Sequence, residues 1–393
     1  MSILKTINGN QTIAEAVRQV DPDVMAAYPI TPSTAIVETI AQFKADGLIS
    51  GEFVCPESEH SAMSVCIGAA SAGGRVMTAT ASQGIALMWE MLYIAAGLRL
   101  PIVAGIANRA LSAPINIHGD HSDTMGARDS GWIQIYSENC QEAYDNFIQA
   151  FRIGEDLDVR TPVLVGLDGF IISHSMEVVK TEDDAAVKKF VGEYQPVYPV
   201  LDTSNKFTVG PIDFTDYYFE HKRSQMEGIE NAPKVIAEVG KEFGQTFGRE
   251  YGFFEEYRME NAEVCIVVMS SAAGTCKDAV DELRDEGINI GLLKPRIFRP
   301  FPHHEMAQAL RGTKAVAVLD RCASPGAFGA PLFTEVRSAL YDLEDRPKIV
   351  NYVFGLGGRD IQVEHFKDVA KKLVRIADTG KVEEIYGYIN LRE

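Results

Sequence analysis

The sequence predicts an α/β protein with two parallel-sheet domains that are joined by an extended strap and a helix. Short apolar runs typical of buried strands alternate with helical stretches through residues 1–192, and the alternation returns through residues 259–378. Between them, residues 193–258 lose this pattern and are predicted to form the strap and the bridging helix, and residues 379–393 a C-terminal tail. A chain of 393 residues, 46% of them apolar, is also too long for one ordinary core.

Turn residues divide the first domain into short elements. Apolar runs bounded by Gly, Pro or polar clusters predict strands, and helical periodicity or small-residue content predicts helices. In chain order these are helix Gln11–Val20, strand Val24–Tyr28, helix Ser33–Phe43, strand Gly51–Cys55, helix Glu57–Ala72, strand Arg75–Ala81, a helix capped by Ser82-Gln83-Gly84 and reaching Gly97, strand Pro101–Ala107, strand Trp132–Tyr136, helix Gln141–Asp156 and strand Pro162–Leu167. The segment 108–130 has little periodicity, and loops of that length in compact domains are usually functional.

The remaining elements follow from the same signals. Prolines and aromatic residues predict an extended strap over Glu193–Phe219, and a charged helical period predicts the bridging helix over His221–Phe247. The second domain is predicted to contain strand Ala262–Met269, helix Thr275–Glu286, strand Ile288–Lys294, helix 303–311, strand Ala315–Asp320, helix Leu332–Tyr341, strand Ile349–Phe354, a glycine turn Gly355–Asp360 and helix Val363–Ala377.

The turn at residues 28–34 is the first candidate site. Pro29 and Pro32 stop a strand or helix from running through it, so Thr31 between them is stiffened on both sides. In an open parallel sheet, ligands bind at the carboxyl ends of the strands, which is where this hydroxyl is held. The alternative is a well-made turn between a strand and a helix that binds no ligand.

Two charged residues lie at comparable positions. Glu59 opens the long helix within the run Glu57–His60, where acids usually cap a helix or complement its dipole. The functional alternative is a carboxylate aimed at a nitrogen heterocycle from an apolar setting. Arg109 follows the strand Pro101–Ala107, where a guanidinium can clamp a ligand carboxylate or pair with a nearby aspartate.

Two polar runs have plainer explanations than the ligands that they suggest. His118–Asp123 contains two histidines and two aspartates, but their spacing matches no metal motif, and such runs are usually polar loops that bond their own backbone. Gly355–Asp360 has N–H groups that can hold a phosphate, but it lacks the Walker lysine and the dinucleotide spacing. We therefore expect a tight turn there, and no metal ligands in this chain.

Composition excludes several classes of function. The formal net charge of −18 argues against nucleic-acid binding, and no apolar run is long enough for a membrane span. The first residues show no signal-peptide pattern, and six scattered cysteines without a CxxC pair fit a reducing cytoplasm and form no iron–sulfur or zinc motif. The chain also lacks a GDG…N motif for thiamine diphosphate and its metal, a GxSxG motif and an HExxH motif.

Eight motifs together resemble one family. They are Tyr28-Pro29-Ile30-Thr31-Pro32, Glu57-Ser58-Glu59-His60-Ser61-Ala62-Met63, Asn108-Arg109-Ala110-Leu111-Ser112-Ala113-Pro114-Ile115-Asn116, His118-Gly119-Asp120-His121-Ser122-Asp123, Arg128-Asp129-Ser130-Gly131-Trp132-Ile133-Gln134, Leu167-Asp168-Gly169-Phe170, Phe298-Arg299-Pro300-Phe301-Pro302 and Gly355-Leu356-Gly357-Gly358-Arg359-Asp360. Over nearly its whole length, the chain resembles the alpha subunit of the multi-subunit pyruvate:ferredoxin oxidoreductases, also called pyruvate synthases.

The resemblance implies a thiamine-diphosphate enzyme that reversibly converts pyruvate and CoA to acetyl-CoA and CO2 and passes the electrons to ferredoxin. The alpha chain then carries a pyrimidine-binding domain and a transketolase C-terminal-like domain. A beta chain holds the cofactor's diphosphate, its magnesium ion and one [4Fe-4S] cluster, a delta chain carries two further clusters, and a gamma chain completes the assembly. This division of labour accounts for the missing cluster cysteines and diphosphate motif.

The same resemblance implies roles for five residues. Glu59 hydrogen-bonds N1′ of the cofactor's pyrimidine and favours the imino form of the aminopyrimidine. Thr31 and Arg109 bind the carboxylate and the keto oxygen of the substrate, and Pro29 and Ile30 line the pyrimidine pocket through their backbone. A relative that acts on oxalate has an arginine at the position of Thr31, so the threonine favours a 2-oxo acid such as pyruvate.

Two alternatives stay open at this point. One is the same chemistry on another 2-oxo acid, 2-oxoisovalerate or 2-oxoglutarate, which needs more room near Thr31 and Arg109 or a further cation. The other is a non-catalytic scaffold that binds a partner and requires nothing of Glu59.

Overall fold

The structure, a computed structural model, describes residues 2–392. Its first part contains β1 (Ile3–Asn8), α1 (Gly9–Val20), β2 (Val24–Ala26), α2 (Thr34–Ala45), β3 (Glu52–Val54), α3 (Glu59–Ser71), β4 (Val76–Thr80), α4 (Gln83–Leu87), α5 (Trp89–Gly97), β5 (Val103–Asn108), α6 (Ser122–Gly126), β6 (Ile133–Tyr136), α7 (Cys140–Glu155), β7 (Val163–Asp168), β8 (Met176–Thr181) and α8 (Asp184–Val191). Its second part contains α9 (Tyr218–Phe247), β9 (Phe254–Tyr257), β10 (Val264–Val268), α10 (Ala272–Asp285), β11 (Ile290–Pro295), β12 (Ile297–Arg299), α11 (His303–Ala309), β13 (Ala315–Asp320), α12 (Pro331–Leu340), β14 (Lys348–Val353), α13 (Val363–Thr379) and β15 (Tyr386–Tyr388).

The first sheet has seven strands in the order β12-β6-β7-β5-β4-β2-β3. Neighbouring strands are parallel except β12, which comes from the second part of the chain and pairs antiparallel with β6. Side chains alternate between the two faces: Val163 and Val165 join the core cluster with α1 and α7, whereas Leu164 joins the one with α3 and α5. Both faces of the sheet are therefore covered by helices, as parallel strands require.

The second sheet has six strands in the order β15-β14-β13-β10-β11-β9, and only β9 at the edge is antiparallel to its neighbour. The same alternation applies, since Ile266 packs in the cluster with α10 and α13 and Val267 in the one with α11 and α12. β1 and β8 form a separate antiparallel pair. The predicted α/β class with two sheets is confirmed.

Local sequence explains where several helices begin and end. Asn8 and Gln11 form a capping box at the start of α1, in which each side chain accepts a hydrogen bond from the other's backbone N–H. The Ser58 hydroxyl accepts from Ser61 N at 3.2 Å and so caps α3. Gly380 ends α13 in the left-handed conformation that glycine adopts without steric penalty.

The longest helix, α9, has 30 residues and places one face on the core of the first sheet. Val235, Ile236, Val239 and Phe243 make that contact, and most of the opposite face is exposed. α9 contains the predicted bridging helix, and residues 193–217 before it hold no helix or strand, as predicted for a strap. Within residues 2–392, no helix combines the length and the apolar character needed to cross a membrane.

The predictions fail mainly at short elements. The sequence does not predict strands β1, β8, β9, β12 and β15, because each is paired at the edge of a sheet or in a two-stranded unit with a partner that the local sequence does not reveal. The short helices α6 and α8 are not predicted either. The single helix predicted from Ser82 to Gly97 is wrong: α4 and α5 are separate, and the Ser82 side chain caps neither of them.

Candidate active site

Four loops of the first sheet meet at the carboxyl ends of adjacent strands. The turn after β2 carries Pro29–Thr31, which are exposed or half-buried, and α3 after β3 begins with Glu59. Ser82 follows β4, and Arg109 follows β5. Because β5, β4, β2 and β3 are consecutive neighbours, the structure places all the residues that the sequence suggested along one edge.

Glu59 presents a buried carboxylate without a protein partner. The residue is 6% exposed, and within residues 2–392 its carboxylate makes no hydrogen bond or ion pair. Glu57, by contrast, is exposed and accepts a hydrogen bond from Ser61 Oγ at 2.7 Å. Glu57 is therefore the acid that stabilises the start of the helix. A buried and unpaired carboxylate such as that of Glu59 is unfavourable until a ligand donates a hydrogen bond to it.

Gly84 packs closely against this carboxylate. A Cβ on Gly84 would lie 2.1 Å from Thr80 Oγ1 and 3.0 Å from Glu59 Oε1. The Thr80 hydroxyl is itself buried without a hydrogen-bond partner. A buried acceptor, a buried hydroxyl and a glycine thus converge on one point, an arrangement typical of a place where a polar ligand group completes the hydrogen bonding.

Arg109 holds a buried guanidinium that is bonded to carbonyl groups. Nη1 donates to Thr31 O and Nε donates to Asn116 O, each at 2.9 Å, and the residue is 6% exposed. Within the described part of the chain the guanidinium makes no ion pair, so the alternative of an aspartate partner is wrong. A positive charge that is fixed by neutral acceptors suits a ligand carboxylate.

The turn that contains Thr31 is fixed by hydrogen bonds from two sides. The backbone N–H and the hydroxyl of Ser33 both donate to Ile30 O at 2.8 Å. Asn10 Nδ2, from α1, donates to Pro32 O at 2.8 Å. These bonds hold the Thr31 carbonyl towards Arg109 and leave the Thr31 side chain exposed.

The run His118–Asp123 packs against the glycine turn Gly355–Asp360. Asp120 accepts hydrogen bonds from Ser122 N at 2.9 Å and from Gly357 N at 3.1 Å. The Asp120 carboxylate thus occupies the N–H group of Gly357, which would have to be free for the glycine turn to bind a phosphate. The loop that follows β5 of the first sheet thus contacts the turn that follows β14 of the second sheet.

Asp168 belongs to a buried network that joins the two sheets. It ends β7, its Oδ1 lies 2.7 Å from His121 Nε2, and its Oδ2 accepts from Arg321 Nη1 and from Ser271 N, each at 3.1 Å. Burial alone would raise the pKa of Asp168, but Arg321 and His121 hold that pKa well below its ordinary value. The charge and hydrogen bonds of Asp168 are satisfied inside the protein.

Acidic residues near the junction are likewise paired. Among residues 2–392, the carboxylates of Glu138, Glu142 and Glu255 are the one such group close enough to share a metal ion. Lys294 Nζ lies 2.6 Å from Glu138 and 2.9 Å from Glu255, and Lys277 Nζ lies 2.9 Å from both of these acids. Two ammonium groups therefore offset two of the three negative charges of this cluster.

Sequence reasoning missed two residues of the candidate site, Asp123 and Ser82. Asp123 is 2% exposed and accepts hydrogen bonds from Arg109 N at 2.9 Å and from Ser82 N at 3.0 Å. Ser82 has a φ of 47°, which residues other than glycine rarely adopt. The only signal in the sequence is an acid in a loop without periodicity. The sequence does not show which backbone N–H groups this acid bonds.

An open parallel sheet that carries a buried, unpaired acid and an arginine bonded to carbonyl groups at its carboxyl edge is typical of an α/β enzyme that binds its ligand at that edge. Residues 15–241 match the family model described as "Pyruvate flavodoxin/ferredoxin oxidoreductase, thiamine diP-bdg", and residues 262–366 match "Pyruvate:ferredoxin oxidoreductase core domain II". The chain belongs to the pyruvate:ferredoxin oxidoreductase family, which confirms the resemblance seen in its motifs.

Three known proteins illustrate the similarity. Pyruvate synthase subunit PorA of Thermotoga maritima is 54% identical over 390 residues, which cover 98% of this chain and 98% of that protein. Ketoisovalerate oxidoreductase subunit VorA of Pyrococcus abyssi is 42% identical over 391 residues, with 99% and 98% coverage. The solved 2-oxoglutarate:ferredoxin oxidoreductase of Magnetococcus marinus, with 2-oxoglutarate, coenzyme A and succinyl-CoA bound, has a TM-score of 0.74 at 19% identity, over 95% of this chain and 65% of that one, and shows the shared fold.

Proposed function

We propose that this chain is the alpha subunit of a thiamine-diphosphate-dependent enzyme that converts pyruvate, CoA and oxidised ferredoxin to acetyl-CoA, CO2 and reduced ferredoxin in a reversible reaction. The observation that carries the proposal is the Glu59 carboxylate, which is buried, unpaired and set beside Gly84 at the carboxyl edge of the first sheet. The family match and the PorA relatives support the same activity.

Glu59 is the residue that holds the pyrimidine of thiamine diphosphate in this proposal. When bound, the cofactor supplies a carbon nucleophile and an electron sink for decarboxylation of a 2-oxo acid. The Glu59 carboxylate bonds the ring nitrogen N1′, and its burial strengthens that bond because water does not screen it. The backbone of Pro29 and Ile30 lines the same pocket, and the unpaired Thr80 hydroxyl supports a polar ligand group there.

Arg109 and Thr31 bind the substrate. The carbonyls of Thr31 and Asn116 already fix the guanidinium, so a carboxylate binds with little reorganisation. The exposed Thr31 hydroxyl donates to the keto oxygen beside it. One guanidinium and one hydroxyl suit a 2-oxo acid with a single carboxylate, such as pyruvate.

Partner subunits supply the remaining chemistry. The beta chain holds the diphosphate, magnesium and one [4Fe-4S] cluster, the delta chain carries two more clusters, the gamma chain completes the complex, and CoA and ferredoxin are co-substrate and electron acceptor. The isolated positions of the six cysteines support this division, since cluster ligation needs thiolates grouped around one site. Their unpaired thiols also support a cytoplasmic location.

The domain division belongs to the same proposal. Residues 1–192 form the pyrimidine-binding domain and residues 259–378 the transketolase C-terminal-like domain, with residues 193–258 as the connection and 379–393 as a tail. The two sheets support this division with one exception. Strand β12, which comes from the second part of the chain, pairs at the edge of the first sheet.

A second candidate is the same chemistry on another 2-oxo acid, 2-oxoisovalerate or 2-oxoglutarate. The similarity to the VorA protein favours 2-oxoisovalerate among these. Steady-state kcat/KM of the purified complex with pyruvate, 2-oxobutyrate, 2-oxoisovalerate and 2-oxoglutarate separates the two. We expect the highest value for pyruvate. A higher value for any other acid would overturn the choice of substrate and leave the type of reaction intact.

The scaffold alternative differs in what it requires of Glu59 and of the partners. We expect partner chains with a diphosphate motif, and with at least about eight cysteines for two [4Fe-4S] clusters, to co-purify with this chain. A scaffold would keep the reconstituted complex active after Glu59→Gln. Our proposal expects loss of activity with assembly unchanged.

A further inference from the structure

We infer that Asp123 is a positioning residue that fixes the spacing between Glu59 and Arg109, an inference that rests on the function proposed for those two residues. Asp123 lies in α6, is 2% exposed and hydrogen-bonds the side chain of neither residue. It acts on the backbone from which they project.

Both oxygens of Asp123 are filled by neutral N–H donors. Oδ2 accepts from the backbone N–H groups of Arg109 and Ser82, at 2.9 and 3.0 Å, and Oδ1 accepts from Asn108 Nδ2 and Thr124 N, at 2.9 and 2.7 Å. A carboxylate accepts at both oxygens, whereas an amide in its place would turn an NH2 group towards two of these donors. The arrangement therefore requires an acid at this position.

One oxygen of Asp123 ties the ends of two neighbouring strands together. Arg109 follows β5 and Ser82 follows β4. A second bond reinforces the link, because Ser82 Oγ donates to Ala110 O at 2.7 Å. Ser82 has φ 47° and ψ −120°, a backbone conformation that persists only where its surroundings hold it.

The Ser82 end of this link reaches Glu59. Two residues further on, Gly84 packs so closely that a Cβ there would lie 3.0 Å from Glu59 Oε1. A continuous chain of contacts thus runs from Arg109 through Asp123, Ser82 and Gly84 to Glu59. A shift of one strand end against the other would change the gap between the guanidinium and the carboxylate, and a misplacement of about 1 Å is enough to slow a reaction between bound groups.

A double-mutant cycle in the assembled enzyme tests this inference. We expect Asp123→Asn to raise KM for pyruvate about tenfold or more and to leave KM for CoA unchanged, because the guanidinium loses its position. In an Arg109→Ala background, the same substitution should change KM for pyruvate by less than about twofold, since two residues that act through one another are not additive. The control is Asp120→Asn, an acid of similar burial in the same loop that bonds Ser122 and Gly357 instead, and it should leave KM for pyruvate unchanged on both backgrounds.

Each outcome decides between the explanations. An equal rise in KM on both backgrounds would show that Asp123 only supports the fold, and would overturn the inference while the proposed function stands. If Arg109→Ala itself left KM for pyruvate unchanged, the substrate role of Arg109 would fail and the inference with it. If Asp123→Asn did not assemble, Ser82→Ala removes the hydroxyl that donates to Ala110 O and to Gln83 Oε1 and leaves the backbone N–H of Ser82 in place. A rise in KM that disappears with Arg109→Ala supports the inference, and an unchanged KM overturns it.

Discussion

At the carboxyl edge of the second sheet, the buried polar side chains bond one another, whereas at the same edge of the first sheet several of them have no partner. In the second sheet, Asp320 ends β13 and accepts hydrogen bonds from Leu332 N at 2.8 Å, Phe333 N at 3.2 Å and Asn351 Nδ2 at 2.9 Å. Asn351 Oδ1 accepts in turn from Ala330 N at 2.9 Å. This cluster joins the end of β13 to the start of α12 and needs no ligand.

The first sheet is different. Within residues 2–392, the fully buried side-chain oxygens and nitrogens without a hydrogen-bond partner belong to Asn10, Thr78, Thr80, Arg99, Asn108 and Ser130, all of them in the first 130 residues. Thr80 and Asn108 are the last residues of β4 and β5, beside Glu59 and Arg109. Native proteins rarely leave such atoms unpaired without a functional reason. The buried polar groups at the edge of the second sheet therefore hold its elements together, whereas those at the edge of the first sheet keep the unpaired atoms that the proposed function requires.

Removal of one charge at each edge gives the largest expected contrast. Glu59→Gln should lower kcat of the assembled complex about a thousandfold, as expected for the loss of an acid–base partner, and leave the thermal midpoint unchanged because no protein hydrogen bond is lost. Asp320→Asn should do the reverse: it should destabilise the fold by about 1–3 kcal/mol through an unsatisfied N–H group and leave kcat unchanged. Both values are read from the same preparations. A Glu59→Gln complex with normal kcat and a lowered midpoint would remove the distinction between the edges.

Asp168 sharpens the comparison, because it lies at the edge of the first sheet but is hydrogen-bonded by residues that follow strands of the second sheet, Ser271 and Arg321. Asp168→Asn leaves Arg321, which is 4% exposed, without its carboxylate, and should destabilise the protein by about 3–5 kcal/mol. Asp184→Asn is the control: its pair with Arg18 is half-exposed at the acid, and its loss should amount to less than about 1 kcal/mol. Thermal midpoints of the two variants check the order. Equal midpoints would show that the junction does not depend on this network.

Two glycines test whether the close packing of the backbone against Glu59 matters at the edge of the first sheet. Gly84→Ala places a Cβ against Thr80 Oγ1 and Glu59 Oε1, and we expect kcat to fall about tenfold because the carboxylate is displaced. Gly274, near the start of α10 in the second sheet, would meet only Glu138 Oε1, at an ordinary 3.5 Å. Gly274→Ala should leave kcat unchanged and stabilise the helix by up to about 1 kcal/mol. If both substitutions left kcat unchanged, the close approach of Gly84 to Glu59 would have no role in activity.

The sequence predicts the two sheets well, because parallel strands buried on both faces appear as apolar runs between turn residues. It also places Glu59 and Arg109 after such runs, and hence at strand ends. It does not show that Glu59 is buried while Glu57 is exposed, since both lie next to one helix start and only tertiary packing separates them. Nor does it show that residues 297–299 cross back to the first sheet, because a three-residue strand is defined by its partner.

The roles of acids in loops are the least predictable part. Asp120 and Asp123 lie in one short run, yet one bonds the second sheet and the other ties two strands of the first. Both bond backbone N–H groups, which every residue except proline offers, so residue types alone do not identify the partners. The glycine turn that Asp120 contacts is 237 residues away in the chain.

The last expected effect is a pH dependence of stability, which Asp320 and Asp168 change in opposite directions. Burial raises the pKa of Asp320 from 3.8 to about 7, so this group takes up a proton on folding between those values, and stability falls as the pH rises through that interval. The pKa of Asp168, held low by Arg321 and His121 despite burial, has the reverse effect: its contribution is present above the ordinary value of 3.8 and is lost as the pH falls below it. Asp320→Asn should therefore flatten the decline in stability between about pH 4 and about pH 7, by no more than about 1.4 kcal/mol per pH unit, and Asp168→Asn should flatten only the acid limb. Thermal midpoints of both variants across this range provide the measurement. If Asp320→Asn left the decline in stability unaltered, the pKa of Asp320 would be the same in the folded and unfolded protein, and burial at the edge of the second sheet would not penalise its charge.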